Sequence, residues 1–303
     1  THFAYIGGND SMDTCAQLER RARDSGQPLA VYGVPKTIDN DLVGTDHCPG
    51  YGSAARYWAI ATQEASLDLA AMRSYDRVLV LECAGRNAGW LTAATSLLKE
   101  SSADPPHVLL IPERRFDREA FLAAVDAALA RVGWCVVAAA ETIRDTTGAY
   151  VSQSAGGLDR FGHPIVTAVG EALAQLIGAE LRIKARANKP GTFQRTSMAY
   201  VSSVDAEEAF RAGRAAAERL AEGQSGSMVG FVRRSDSPYE VELGAVPLAD
   251  VANSERQMPA DFLVGEGALV AGVSDRFRGY AAPLIGAAPE PHFSLASVAP
   301  RSP

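Results

Sequence analysis

Pro35-Lys36-Thr37-Ile38-Asp39-Asn40-Asp41 places two carboxylates, a hydroxyl, an amide and an ammonium in one short segment. A carboxylate pair can hold Mg²⁺, take a proton, or do both. A Lys beside it attracts an anion with several negative charges. The combination fits phosphoryl transfer, where catalysis is mostly positioning and charge stabilisation. The same residues could make an ordinary polar turn, because Asp and Asn side chains satisfy nearby backbone groups. A second loop, Gly7-Gly8-Asn9-Asp10-Ser11, favours the chemical reading. Paired glycines let the backbone approach a phosphate, and a following helix offers it unpaired N–H groups.

These loops need elements to hold them. Leu29-Ala30-Val31-Tyr32-Gly33-Val34 reads as a strand buried on both faces, and Phe3-Ala4-Tyr5-Ile6 as another strand. Both loops then follow strand C-termini, the edge where open α/β sheets bind ligands. Ser11 is a good N-cap for a helix with Met12, Cys15, Leu18 and Ala22 on one face. Further strands are expected at 77–83, 108–111 and 134–140, the last ending at Glu141, and an extended stretch at 180–187. Helices are expected at 52–75, through Trp90 and Leu97, and at 118–131, 164–177 and 205–221. Residues 144–162 read as an exposed connection, and the Pro-rich stretch 287–303 as a surface tail. The repeated βα rhythm predicts parallel sheets covered by helices.

The bulk properties exclude several classes. At 303 residues with 47% apolar content, the chain can build cores for two domains. A net charge of −7 argues against a generally basic nucleic-acid surface, while leaving room for a local phosphate cleft. Cys15, Cys48, Cys83 and Cys135 are isolated, which favours buried thiols in a reducing compartment over zinc or disulfides. No segment reaches the length of a membrane span, so the cytoplasm is the expected location.

The two loops resemble those of the phosphofructokinase family, and more closely its pyrophosphate-dependent branch. Ala84-Gly85-Arg86-Asn87-Ala88-Gly89-Trp90 is similar to that family's Met-Gly-Arg-His-Ala-Gly-Trp motif, and Gly191-Thr192-Phe193-Gln194-Arg195 to its Gly-x-x-Gln-Arg motif. The four motifs keep the family's order, and family-like stretches continue to about Asn253. The resemblance implies an α/β fold of two parallel-sheet, Rossmann-like domains. The phosphoryl-donor domain would comprise residues 1–50 and 194–244, and the sugar-phosphate domain 51–193. Residues 245–303 would form a C-terminal packing segment and tail. The family's first strand and Gly-rich loop have no counterpart upstream of Gly7, so the expected donor site is incomplete in this chain.

By resemblance Asp39 is the general base, Thr37 lies beside the transferred group, Asp41 is the supporting carboxylate and Arg86 stabilises charge. Gly8, Asp10, Ser11 and Lys36 would bind the donor, with Asn9 and Asp10 toward Mg²⁺. Gly85, Glu141 and Arg195 would bind the sugar phosphate, with Arg77 and Arg186 reaching it from a neighbouring subunit. A homodimer or homotetramer with shared active sites is therefore expected, with no nucleic-acid or membrane partner. ATP-dependent members carry Gly at the positions of Asp10 and Lys36, so the side chains here imply pyrophosphate as donor. Asn9 stands in place of a metal-binding Asp, and Ala84, Asn87 and Thr192 also depart from the family's motifs. Lys189 lies close enough in sequence to substitute at the 6-phosphate. These departures keep open another acceptor, such as sedoheptulose 7-phosphate, or a catalytically silent subunit.

Overall fold

The computed structural model describes residues 1–158, 164–166, 168–252, 254–265, 267 and 269–287, with 153–158 and 164–166 described by backbone alone. His2–Gly7 forms strand β1, Asn9–Asp24 helix α1, and Ala30–Pro35 strand β2. β1 and β2 are parallel, with His2 opposite Ala30 and Gly7 opposite Pro35. Residues 31–35 are all buried, as a strand covered on both faces requires. Then come α2 (Tyr51–Ala71), β3 (Val78–Cys83), the short α3 (Trp90–Ala94), β4 (Val108–Leu110), α4 (Arg118–Val132) and β5 (Cys135–Ala140). Gln153–Leu158 (β6) and Pro164–Val166 (β7) form an antiparallel pair. They precede α5 (Val169–Leu181), β8 (Ala185–Asn188), α6 (Phe193–Thr196) and α7 (Ser203–Ala221). The rest is β9 (Ser227–Asp236), β10 (Tyr239–Pro247), α8 (Leu248–Val251), β11 (Leu263–Val264), β12 (Gly272–Val273) and α9 (Asp275–Ile285).

Two four-stranded sheets result, with orders β1-β2-β9-β10 and β4-β5-β3-β8. The second is parallel throughout, and every residue of β3 and β5 is buried. Leu79, Leu81 and Val136 from it pack with Trp58 of α2, Trp90 of α3 and Phe277 of α9 in one apolar core. In the first sheet β1, β2 and β9 are parallel, but β10 returns antiparallel to β9. The βα rhythm did not anticipate this hairpin. Its signal is the alternation of Tyr239, Val241 and Leu243 with Glu240 and Glu242, which lets one face pack on the core.

Several boundaries differ from expectation. α2 stops at Ala71, because residues 72–75 form a turn with Met72 and Tyr75 exposed. α3 ends at Ala94, short of Leu97. Residues 164–166 are a strand rather than the start of a helix, which begins at Val169 and continues through Leu181. Arg182, at φ 53°, ends it, so only Ala185 onward is extended. Residues 153–158 of the expected connection are a strand, while 159–162 and the tail beyond 287 lie outside the described residues. All four cysteines are buried and free. No helix among the described residues is long and apolar enough to cross a membrane.

Candidate active site

The loops after β1 and β2 lie side by side. Lys36 N donates to Gly7 O at 2.9 Å, carrying the parallel ladder past the strand ends. Gly8 packs against Thr37: a Cβ added there would lie 3.6 Å from Thr37 Cβ, in ordinary contact. A Cβ on Gly7 would sit 2.0 Å from Ser11 Oγ, so only glycine fits above that hydroxyl. Ser11 is not the helix cap. Gly8 occupies that position and α1 starts at Asn9, because the glycine backbone enters the helix directly and leaves Ser11 inside the first turn.

Within the carboxylate loop, Thr37 Oγ1 accepts from Asp39 N at 3.1 Å and donates to Asp41 Oδ1 at 3.3 Å. Asn9 Nδ2 donates to Asp41 Oδ2 at 2.8 Å, while Asn9 Oδ1 is buried with no partner among the described residues. Burial is the largest influence raising the Asp39 carboxyl to about 6, followed by the nearby charges of Asp41 and Glu141; Arg86 and Lys36 oppose it. Burial also raises Asp41, against hydrogen bonds from its own loop, Thr37 and Asn9. Asp39 is thus a carboxylate whose proton affinity has been brought toward neutrality, the condition that suits a general base.

A cleft of about 890 Å³ opens in front of this loop. Lys36, Thr37 and Asp39 line it after β2, Arg86 after β3, Glu141 after β5, and Gly191, Gln194 and Arg195 after β8. The C-terminal ends of β2 from one sheet and of β3, β5 and β8 from the other converge there, the edge at which such sheets bind ligands. Gly85 turns the chain before Arg86 with φ 115°, and a Cβ on it would meet Ala88 O at 2.6 Å.

Other expected residues lie outside the lining. Asn9 and Asp41 sit behind Thr37, and Asp10 is exposed in the first turn of α1. Arg77 donates from Nε to Gly133 O at 3.1 Å, at the opposite end of β3 from Arg86. Arg186 pairs with Asp68 and Asp76, each at 3.1 Å. Neither arginine lines the cleft of its own chain. Lys189 reaches the cleft, but its ammonium is 2.6 Å from Glu82, so it is not the free phosphate ligand suggested by its place in sequence. Asn87 donates to Glu255 Oε1 at 2.6 Å rather than facing the cleft.

Gln194 and Asp205 are among the cleft residues that escaped the sequence reading as site residues. Gln194 Oε1 accepts from Trp58 Nε1 at 3.0 Å and Ala84 N at 2.9 Å, and its Nε2 donates to Gly191 O at 2.9 Å. One amide thus fixes the β3 loop, α2 and the β8 loop together; its motif flagged it without naming this role. Asp205, in the first turn of α7, accepts from Gly50 N at 2.8 Å and Ser53 N at 3.1 Å, capping α2. In sequence, Ser202 and Asp205 look only like the start of their own helix.

Residues 1–220 match the family model for phosphofructokinase. The chain is 44% identical over 289 residues to the pyrophosphate–fructose 6-phosphate 1-phosphotransferase of Xanthomonas campestris pv. campestris, covering 95% of this chain and 68% of that protein. It is 36% identical over 262 residues to the sulfofructose kinase of Alkalicoccus urumqiensis, covering 86% of this chain and 67% of that protein. A crystal structure of pyrophosphate-dependent phosphofructokinase from Marinobacter aquaeolei superposes with a TM-score of 0.81 at 38% identity, over 97% of this chain and 70% of that one. The match across residues 1–220, with likeness extending over nearly the whole chain, establishes that it belongs to the phosphofructokinase family.

Proposed function

We propose that this chain moves a phosphoryl group from pyrophosphate to the 1-hydroxyl of fructose 6-phosphate. The carrying observation is Asp39, a partly desolvated carboxylate facing the same cleft as the cations of Lys36 and Arg86. The sugar's 1-hydroxyl gives its proton to Asp39 as its oxygen attacks phosphorus. The bond from that phosphorus to the bridging oxygen breaks, and inorganic phosphate leaves. Arg86 stabilises charge on the transferring group, with Thr37 beside it and Asp41 holding the Thr37 hydroxyl. Glu141 holds sugar hydroxyls, Arg195 meets the 6-phosphate, and Gly85 allows close backbone approach. Gly8, Asp10, Ser11 and Lys36 form the donor side. One phosphoanhydride is exchanged for one phosphate ester, so the reaction runs in both directions.

The residues fit Mg²⁺. This ion takes oxygen ligands, usually a carboxylate or two with substrate phosphate oxygens and water completing the shell. The unpartnered amide oxygen of Asn9 and the neighbouring Asp10 carboxylate are the donors that suit it. When bound, Mg²⁺ supplies neutralisation of pyrophosphate charge.

We assign residues 1–50 and 194–244 to a donor domain, 51–193 to a sugar-phosphate domain, and 245–303 to a C-terminal packing segment and tail, of which 288–303 lie outside the described residues. The strand sources of the two sheets support this division. We also propose a homodimer or homotetramer in the cytoplasm.

The direct test is a coupled assay with Mg²⁺, comparing pyrophosphate with ATP on fructose 6-phosphate. Turnover with pyrophosphate and none with ATP is expected; the reverse would remove the donor assignment. Lys36→Gly with Asp10→Gly should weaken pyrophosphate use and admit ATP, since both changes remove bulk beside the donor loops. Normal pyrophosphate use with no ATP binding by the double variant would place donor selection elsewhere. With both substrates saturating, kcat should fall about ten-fold per pH unit below about pH 6, because only ionised Asp39 accepts the proton. A flat profile down to pH 5 would exclude Asp39 as base.

The positions of Asn87 and Lys189, and the likeness to a sulfofructose kinase, support a second reading in which the same chemistry acts on another acceptor. Sedoheptulose 7-phosphate and a sugar sulfonate in the same assay separate the two.

A further inference from the structure

Asn40, between the two carboxylates of the catalytic loop, is fully buried and has φ 56°, in the left-handed region that non-glycine residues seldom enter. Its side chain is held at both ends: Nδ2 donates to Tyr280 Oη at 2.8 Å, and Oδ1 accepts from Cys48 N at 3.0 Å. Its carbonyl receives Arg256 twice, from Nε at 3.1 Å and Nη2 at 2.9 Å. Nη1 of the same guanidinium donates to Thr45 O at 3.0 Å and to Asp46 O, which Tyr280 Oη also meets at 2.8 Å. Arg256 N donates to Asp41 O at 2.7 Å. One arginine thus takes the carbonyls at both ends of the loop from Asn40 to Asp46, in a fork that only a guanidinium provides.

The same segment contacts the arginine loop. The Arg256 guanidinium lies 4.4 Å from the Trp90 ring centroid, and Trp90 Nε1 donates to Arg256 O at 3.4 Å. Glu255 takes the amide of Asn87, next to Arg86, at 2.6 Å. Gly89 N and Met258 N both donate to Glu113 Oε1, at 3.0 and 3.2 Å. The chain from Glu255 to Met258 therefore runs between the loop carrying Asp39 and the loop carrying Arg86.

We propose that Arg256, with Tyr280, is a positioning residue that locks the Asn40 turn and sets where Asp39 stands relative to Arg86. This rests on the reading of Asp39 as base and Arg86 as charge stabiliser. Arg256 touches neither the cleft nor a reacting group, so it acts on turnover through the loop. Lys cannot reproduce it, since one ammonium cannot reach all these carbonyls in the fork's geometry.

The test compares the wild-type chain with Arg256→Lys, Arg256→Ala and Tyr280→Phe. Amide hydrogen exchange across residues 39–46 is measured beside pyrophosphate-dependent turnover. In Arg256→Lys, exchange across that loop should accelerate while β3 and β5 stay protected. Its kcat should drop about 100-fold, with KM values for both substrates within about three-fold, as for a catalytic group displaced by an ångström. The acid limb of kcat should move down as Asp39 becomes better hydrated. Guanidinium ion should restore at least about ten-fold of the lost turnover to Arg256→Ala, because it refills the vacated fork. Tyr280→Phe, which keeps the ring in the core, should show the same changes in weaker form. Loop exchange at the wild-type rate in Arg256→Lys would overturn the clamp whatever the substrate proves to be. So would turnover and acid limb unchanged beside accelerated exchange. If the arginine variants yield no folded protein, Tyr280→Phe decides: unchanged loop exchange there overturns the proposal. A wild-type chain with no transfer from pyrophosphate to any sugar phosphate defeats the functional reading instead, and the exchange comparison still judges the clamp.

Discussion

Changing Asp39 to Asn should lower kcat by about 10³-fold, within the span that a positioned general base contributes. KM for the sugar phosphate should change by less than about three-fold, because the loss falls on the transition state and not on ground-state binding. Asn keeps the size of the side chain, and the backbone amide at residue 39 still reaches Thr37 Oγ1. Lys36, Arg86 and Arg195 remain in the cleft, so the phosphates keep their cations. Only the proton acceptor is gone. Turnover within a few-fold of wild type would remove Asp39 from this role. The same variant has a second, opposite signature. Folding raises the Asp39 carboxyl from 3.8 to about 6, so the native state binds the proton more tightly than the unfolded chain does. Stability from this group is therefore present in acid and lost as pH rises through about 6. The amide that replaces the carboxylate carries no charge at any pH. The variant should melt at a higher temperature than wild type at pH 8, with the gap closing toward pH 4. Equal melting temperatures at pH 8 would mean that Asp39 is not held in a desolvated, acid-crowded position.

That trade between stability and chemistry was partly legible in the sequence. The apolar run before Lys36 announced a strand buried on both faces, and β2 is that strand. Two polar loops at neighbouring strand ends implied one site, and Lys36 N bonded to Gly7 O joins them. Local pattern was enough because each loop's place depends on the strand immediately before it. It failed where a position is decided by something distant. Ser11 has the chemistry of a cap, but Gly8 takes that position and leaves Ser11 inside the first turn. Lys189 has the charge for a phosphate, but Glu82 on the adjacent strand claims it. Asp205 looks like part of its own helix start, yet it caps α2. Arg256 lies 216 residues from Asn40, whose carbonyl it grips, with the whole of the second sheet and half of the first between them in sequence, and no spacing rule connects the two. The parallel sheet order follows from βα alternation, whereas the β10 return follows from packing of one hairpin face.

Arg186 presents the opposite problem, because its contacts within one chain do not lead to the cleft. It pairs with exposed Asp68 and buried Asp76, and its neighbour Lys184 also reaches Asp76 at 2.9 Å. The exposed pair with Asp68 contributes little by itself. The proposal that Arg186 and Arg77 serve a neighbouring subunit's acceptor phosphate gives the pair another use. A doubly charged phosphate between chains would offset the mutual repulsion of converging arginines. Arg186→Ala should then lose most activity while still folding, since Lys184 continues to neutralise Asp76. Mixed with inactive Asp39→Asn chains under conditions that let subunits exchange, it should regain activity. In each mixed dimer one site combines an intact Asp39 with an intact Arg186 from the other chain, and the second site lacks both. Random pairing makes half the dimers mixed, so about a quarter of wild-type activity is expected for a two-fold assembly. Sedimentation of each variant alone and of the mixture checks that dimers are present. Activity no higher than the sum of the separate variants, in a verified mixed dimer, would place Arg186 in its own chain's site or outside the chemistry. Full wild-type activity in a sedimenting monomer would end the shared-site proposal outright.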